Sequence, residues 1–429
     1  MSPIWVVVTC FLLNGIAEGR KGFGPGEQEW GYIDVRPGAH MFWWLYYVTP
    51  PSGEKVNVYK KPLVIWLQGG PGASSTGYGN FEELGPLDLE GNRRNYTWVN
   101  DYNVLFIDNP VGSGFSYVEN TTAFATTNKQ IADDLLKCMK GFLDKFPGFQ
   151  KVPTYVTAES YGGKMAAELG LVWYKAQKAG SIKSNLSGVA LGDSWISPMD
   201  SVMSWAPFLL STGMIDRRGV LAIEKAAVET QRAVDEGRWR AATSLWAYTE
   251  NVIVNVTGNI DFYNILEKKQ PRGRTGRLLP GVRPKVDRDR MLSELMNNGV
   301  RNTLGLNVSW GLQSSEVFNI LKEDFMKPVV NIVQQLTNQT NLEVFVFTGQ
   351  LDLIVATLGT VEWVERMFKD VAGWSAPPRR PVVVNNVIEG YLKEYKNFKM
   401  YWINRAGHMV PRDNPYATAS MLKHLTGSK

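Results

Sequence analysis

The run TYVTAESYGGKMAAELG, Thr154 to Gly170, decides how this chain is read. A β-rich stretch meets Glu159-Ser160-Tyr161-Gly162-Gly163 and turns at once into an Ala-rich helical pattern. Ser160 is then either a nucleophile on a strained strand-to-helix turn or a helix N-cap that follows a strand. Ala158, Gly162 and Gly163 supply small residues where such a turn packs against strand and helix. The usual first Gly of G-x-S-x-G is Ala158 here, so the local motif alone does not choose between the two readings.

Outward from this turn the chain alternates. MFWWLYYV, PLVIWL, YNVLFID, PTYVTA and LSGVALG read as strands before residue 200, and EVFVFTG and KMYWIN as strands after 338. Helical patterns lie between several of them, as at Thr127–Lys145 and Lys164–Gln177. Strand and helix in alternation predict an α/β fold with a mainly parallel central sheet flanked by helices. The alternation breaks over 200–338, where VLAIEKAAVETQRAVDEGRW is the clearest amphipathic run. The predicted organisation is a core in two parts, 20–199 and 339–429, with a mostly helical cap inserted at 200–338. Within the cap, 267–290 carries nine basic residues against three acidic ones among Pro and Gly, which reads as an exposed loop.

A serine hydroxyl needs a base, and the chain has only three histidines. His40 sits in an aromatic strand and His424 in the last helical pattern. His408, in INRAGHMVP, stands just beyond a strand in a loop shaped by Gly407 and Pro411, where a parallel sheet displays its chemistry. An orienting carboxylate is the third requirement. Asp108, Asp193 and Asp352 all follow strands. The order nucleophile, acid, histidine of α/β-hydrolases removes Asp108, and topology favours Asp352 over Asp193. In LVIWLQGGPGASS the N–H of Gly70, paired with that of Tyr161, can form an oxyanion hole.

Composition bounds the rest. The chain of 429 residues is 44% hydrophobic and 20% charged with a net charge of +5, values that suit a globular protein and make no case for nucleic acid. An apolar run from Ile4 to Leu13 followed by small residues predicts a signal peptide over 1–19, and no later run is long enough for a membrane span. Six sequons, at Asn95, Asn120, Asn185, Asn255, Asn307 and Asn338, support secretory entry and mark candidate glycosylation sites. Once Cys10 leaves with the leader, Cys138 remains without a disulfide partner and is expected to be a buried structural thiol. Scattered histidines predict no metal site, and no cofactor is called for.

The blocks WLQGGPGASS, DNPVGSGFSY, ESYGGKMAAELG, ALGDSWISP, GQLDLIV and AGHMVP, in this order, resemble the signatures of the serine carboxypeptidase family. The resemblance implies an α/β-hydrolase fold, a triad of Ser160, Asp352 and His408, and oxyanion donors at Gly70 and Tyr161. It also implies that Trp66, Gln68, Gly69 and Glu159 read a substrate's C-terminal carboxylate. Peptide or protein C-termini would be the partners, in a secreted or lysosomal setting. Glu159 adjoins the nucleophile, and two carboxyls at hydrogen-bond distance share a proton, so the expected activity is best in acid. Two departures stand out. Gln68 replaces the family's usual Asn, and Ala73 replaces its usual Cys. An acyltransferase or esterase on the same fold, or a secreted interaction protein with vestigial activity, are the competing readings.

Overall fold

The computed structural model describes residues 19–267 and 287–428. The expected leader, apart from Gly19, and the basic stretch between 268 and 286 lie outside the described residues.

Twelve strands form one sheet: β1 (Arg20–Lys21), β2 (Glu27–Arg36), β3 (Ala39–Tyr46), β4 (Leu63–Leu67), β5 (Asn103–Ile107), β6 (Tyr117–Val118), β7 (Thr154–Glu159), β8 (Leu186–Gly192), β9 (Glu343–Gly349), β10 (Arg380–Val384), β11 (Val387–Tyr395) and β12 (Phe398–Ile403). Their order is β1-β2-β3-β5-β4-β7-β8-β9-β12-β11-β10, with β6 paired to β3. The centre, β5-β4-β7-β8-β9-β12, is parallel throughout. Antiparallel strands flank it on both sides. The parallel centre is the one that the alternating sequence predicts. Of the flanks, β2 and β11 mix exposed and buried positions and so lack the continuous apolar run of a buried strand, and β10 is a short edge strand.

Side-chain alternation divides the sheet into two core layers. Along β4, Leu63, Ile65 and Leu67 enter one layer while Val64 and Trp66 enter the other, as a period of two requires. The first layer is closed by α1 (Asn128–Lys145) and α2 (Tyr161–Lys178). Thr127 starts α1, its hydroxyl accepting from the Gln130 N–H. The second layer is rich in aromatics, among them Trp44, Trp66, Phe81 and Phe106.

Between β8 and β9 the chain is helical. It contains α3 (Pro198–Ser211), α4 (Arg217–Asp235), capped by Asp216 on the Gly219 N–H, and α5 (Trp239–Thr257). Short helical turns follow at Ser315–Ile320 and Lys322–Phe325. Asp324, in the last of these, is the bolt to the core. Its carboxylate accepts from the buried Lys164 ammonium at 3.1 Å and from the Tyr161 hydroxyl at 2.8 Å, both on the first turn of α2. The Lys164 ammonium also donates to the Asp324 carbonyl at 2.7 Å. Burial works against ionisation of Asp324, but Lys164 and these hydrogen bonds prevail and hold its carboxyl below the usual value. Removing one partner of such a pair strands a charge in the interior. Asp324→Ala is therefore expected to lose about 3–5 kcal/mol of stability in equilibrium denaturation; a loss under about 1 kcal/mol, the scale of an exposed pair, would show that the bolt is not structural.

Candidate active site

The site is built on the turn between β7 and α2. Ser160 stands there at φ +61° and ψ −131°, a conformation a non-glycine residue adopts only when its surroundings impose it. They do so through the backbone. The Ser160 N–H donates to the Gly192 carbonyl at 3.1 Å, and its own carbonyl accepts from the N–H groups of Gly163 at 3.0 Å and Trp195 at 2.9 Å. Although Ser160 occupies the N-cap position of α2, its side chain makes no capping hydrogen bond. The hydroxyl is left free of the helix it precedes.

Opposite it runs the Gly69-Gly70-Pro71-Gly72 turn that follows β4. A Cβ on Gly69 would lie 2.5 Å from the Ser160 Cβ and 2.9 Å from the Glu159 carbonyl oxygen, so only glycine lets the two turns meet. Gly70 has φ +107°, and a Cβ there would press on the Gly72 and Ala73 amides at 2.9 Å. Tyr161, as first residue of α2, carries one of the N–H groups that a helix start leaves without an intrahelical acceptor.

His408 and Asp352 converge from the loops after β12 and β9. The His408 Nδ1 lies 2.8 Å from Asp352 Oδ2, and both side chains are buried. That contact assigns the proton to Nδ1 and leaves Nε2 as the lone-pair nitrogen. Nε2 is 3.9 Å from Glu159 Oε1, beyond a hydrogen bond. Burial pushes the His408 pKa below its ordinary value, so the imidazole stays neutral further into acid than an exposed one. Asp352 Oδ1 accepts from the Val355 N–H at 3.2 Å. The His408 N–H donates to the Tyr263 carbonyl at 2.6 Å, and the Tyr263 ring stands edge-on to the imidazole at 5.1 Å.

Beside Ser160 lies a buried chain of polar groups. The Trp66 indole N–H donates to Gln68 Oε1 at 2.7 Å, which orients the amide. The Gln68 Nε2 then donates to Glu83 Oε1 and to Glu159 Oε1, each at 3.0 Å. Gln68, the departure from the usual Asn, thus reaches both glutamates. The two carboxyls lie within hydrogen-bonding reach of each other, an arrangement available only when one of them carries a proton. Burial, and then the neighbouring Glu83, raise Glu159 well above the usual carboxylate range. The second oxygens of both, Glu83 Oε2 and Glu159 Oε2, are buried and have no other hydrogen-bond partner among the described residues.

The other sequence candidates fall elsewhere. Asp108 ties loops together, accepting from the Ser74 hydroxyl at 2.7 Å, the Thr76 N–H at 3.0 Å and the Phe115 N–H at 2.8 Å. His40 bridges Asp34 and Glu119, and His424 meets the Tyr401 hydroxyl. Cys138 is fully buried in α1, and burial raises its thiol pKa far above the ordinary value, which makes it unreactive. Asn95, Asn120, Asn255, Asn307 and Asn338 are exposed, while Asn185 is half-buried with its Nδ2 donating to the Lys151 carbonyl. Sequence reading missed Glu83 and Tyr263. Glu83 sits in FEEL, where no neighbouring motif marks it; a π-helical turn, Ser75–Leu84, buries both of its glutamates.

Known proteins resemble this chain along nearly its whole length. The family profile described as "Serine carboxypeptidase" matches residues 20–428. Retinoid-inducible serine carboxypeptidase of Rattus norvegicus is 42% identical over 445 residues, covering 99% of this chain and 97% of the relative. The human protein of that name is 42% identical over 448 residues, with the same coverage. Serine carboxypeptidase-like 51 of Arabidopsis thaliana is 36% identical over 459 residues, covering 100% and 99%. Among solved structures, Kex1(delta)p, a prohormone-processing carboxypeptidase from Saccharomyces cerevisiae, superposes with a TM-score of 0.78 at 20% identity, covering 94% of this chain and 91% of that one, a likeness of fold. Among the described residues no helix is long and apolar enough to cross a membrane.

The close approach of the two turns can be tested directly. Gly69→Ala is expected to cost roughly 1–3 kcal/mol of stability through overpacking and, in the folded variant, to lower kcat/KM for a blocked dipeptide by roughly 100-fold, the scale of an ångström-sized misplacement. Activity within about threefold of the parent would show that the turns do not define the site.

Proposed function

The chain belongs to the serine carboxypeptidase family, and from that premise we propose that it releases C-terminal amino acids from peptides through an acyl-enzyme on Ser160, best at acid pH. The observation that carries the reading is that two assemblies meet beside Ser160, His408–Asp352 and Gln68–Glu83–Glu159, with His408 Nε2 3.9 Å from Oε1 of Glu159, the residue before the serine.

The steps follow from the geometry. Ser160 Oγ attacks the carbonyl of the penultimate residue while His408 Nε2 accepts the hydroxyl proton. Asp352 holds Nδ1–H and stabilises the imidazolium. The oxyanion is received by the N–H groups of Gly70 and Tyr161. On collapse the C–N bond breaks, and His408 returns the proton to the leaving amino group. Water then attacks the ester by the same route in reverse order of protons, releasing the shortened peptide and free Ser160.

Selection of the chain end is assigned to the carboxyl pair. On binding, the Glu159–Glu83 pair turns the O–H it shares, and Gln68 one of the two N–H groups it otherwise gives to the glutamates, toward the incoming carboxylate, with Trp66 fixing the amide and Gly69 keeping the approach open. The exposed sequon asparagines support passage through the secretory pathway, to a secreted or lysosomal destination. Peptide or protein C-termini are the partners that this reading requires.

The pH dependence has a definite sign. A carboxyl whose pKa is raised keeps its proton at low pH and loses it as pH rises through the raised value. Recognition is therefore present in acid and lost toward alkali, while the lowered pKa of His408 extends the working range downward. The kcat/KM profile for a blocked dipeptide is expected to fall on the alkaline side, and that of its C-terminal amide to lack this fall. Organophosphonate labelling of Ser160, together with hydrolysis of the dipeptide and its amide at acid pH, tests the whole reading. Label with acid-selective cleavage supports it, label with equal turnover of both removes end recognition, and no label removes the nucleophile. Glu83→Gln is expected to raise KM for the dipeptide about tenfold or more while leaving its amide within about threefold, because only the carboxylate uses the pair.

A further inference from the structure

Asp193, the residue after β8, lies in the site with no part in the steps above. Its backbone is in the left-handed region at φ +37°, with its N–H donating to the Phe347 carbonyl at 2.8 Å. Its Oδ1 accepts from the Gly349 N–H at 2.9 Å. Its Oδ2 is buried and has no hydrogen-bond donor among the described residues. A buried carboxylate oxygen without a donor is costly, and so its surroundings decide its state.

Those surroundings are acidic. Asp193 faces the Asp352 carboxyl within hydrogen-bonding reach, with His408 and Glu159 beyond it. Both Asp352 oxygens already accept, Oδ1 from the Val355 N–H and Oδ2 from His408. His408, the one base nearby, is committed to Asp352 through Nδ1. It also feels Glu83, Arg412 and Asp413, and the Tyr263 ring packs against it. Among the described residues no Lys or Arg forms an ion pair with Asp193. An Asp193 Oδ2 that carries a proton removes the conflict: the orphaned acceptor becomes a donor, and Asp352 receives a third hydrogen bond. Burial and then Asp352 both push the Asp193 pKa well upward, in the direction that keeps this proton on.

We propose that Asp193 is a positioning residue that stays protonated and donates a hydrogen bond to Asp352, which keeps His408 a neutral base at acid pH. The inference rests on the triad reading above. A hydrogen bond into Asp352 draws off part of its negative charge. A less negative Asp352 stabilises the imidazolium less, so His408 stays deprotonated to lower pH. The two carboxyl pairs around Ser160 then have separate duties. Glu159–Glu83 reads the substrate, and Asp193–Asp352 sets the base.

The pH dependence of the second-order rate of Ser160 labelling by a fluorophosphonate isolates this effect, since the reagent carries no C-terminal carboxylate for Glu159 and Glu83 to read. Asp193→Asn keeps a donor of similar shape and is expected to leave the acidic limb of the profile in place. Asp193→Ala loses the donor and is expected to move that limb upward by about one pH unit, with labelling near tenfold slower at pH 5 and nearly restored at neutral pH. Thermal unfolding of each variant checks that it is folded; if Asp193→Ala is not, Asp193→Asn decides alone. A limb in Asp193→Asn that moves downward by a pH unit shows that the native residue is ionised and overturns the proposal, as does an unmoved limb in folded Asp193→Ala. Absence of labelling in the parent protein would strike the Ser160 reading instead.

Discussion

The arrangement depends on one strained residue. Ser160 is fixed at positive φ between the last residue of a central strand and the first of a helix, its N–H donating to the Gly192 carbonyl and its carbonyl accepting from the Gly163 and Trp195 N–H groups. A conformation of this kind costs on the order of 1–3 kcal/mol and persists because packing on both sides over-determines it. Gly69 permits the neighbouring turn to close on it. Lys164 and Tyr161, on the same first turn of α2, are bolted to Asp324 from the helical segment. Strain at the serine, closeness of the glycine turn and anchorage of the helix are thus one constraint expressed three times.

Around that constraint the protein collects acids rather than bases. Glu83, Glu159, Asp193 and Asp352 are all buried near His408, and among the described residues none of the four forms an ion pair with a Lys or Arg. Such a cluster is stable only if some members are uncharged, and shared protons are the least costly way to achieve this. The consequence is functional as well as structural. In the proposed reading, protons that stay on in acid and leave in alkali tie recognition at the site to pH.

Much of this was legible in the sequence because its signals are local. The strand ends, the GG turn and the order of Ser160, Asp352 and His408 all lie within short runs whose chemistry is readable without the fold. Scarcity helped, since three histidines left one plausible base. Glu83 was not legible, because a π-helical turn rather than any neighbouring residue type aims it at Gln68. Asp193 was weighed only as a rival to Asp352. That both acids would enter one site is a matter of the adjacency of β8 and β9, which a linear reading does not contain. The flanking strands β2 and β11 escaped for a simpler reason, as half-solvated strands lack an apolar run.

The account's central claim is that the acid beside the nucleophile reads the end of the peptide. A crystal structure of Ser160→Ala soaked at acid pH with a blocked dipeptide tests it most directly. The account places the terminal carboxylate within hydrogen-bond distance of Glu159 and Gln68, with the scissile carbonyl at the Gly70 and Tyr161 amides. A dipeptide bound in the site with its carboxylate turned to solvent or to a basic side chain would contradict it.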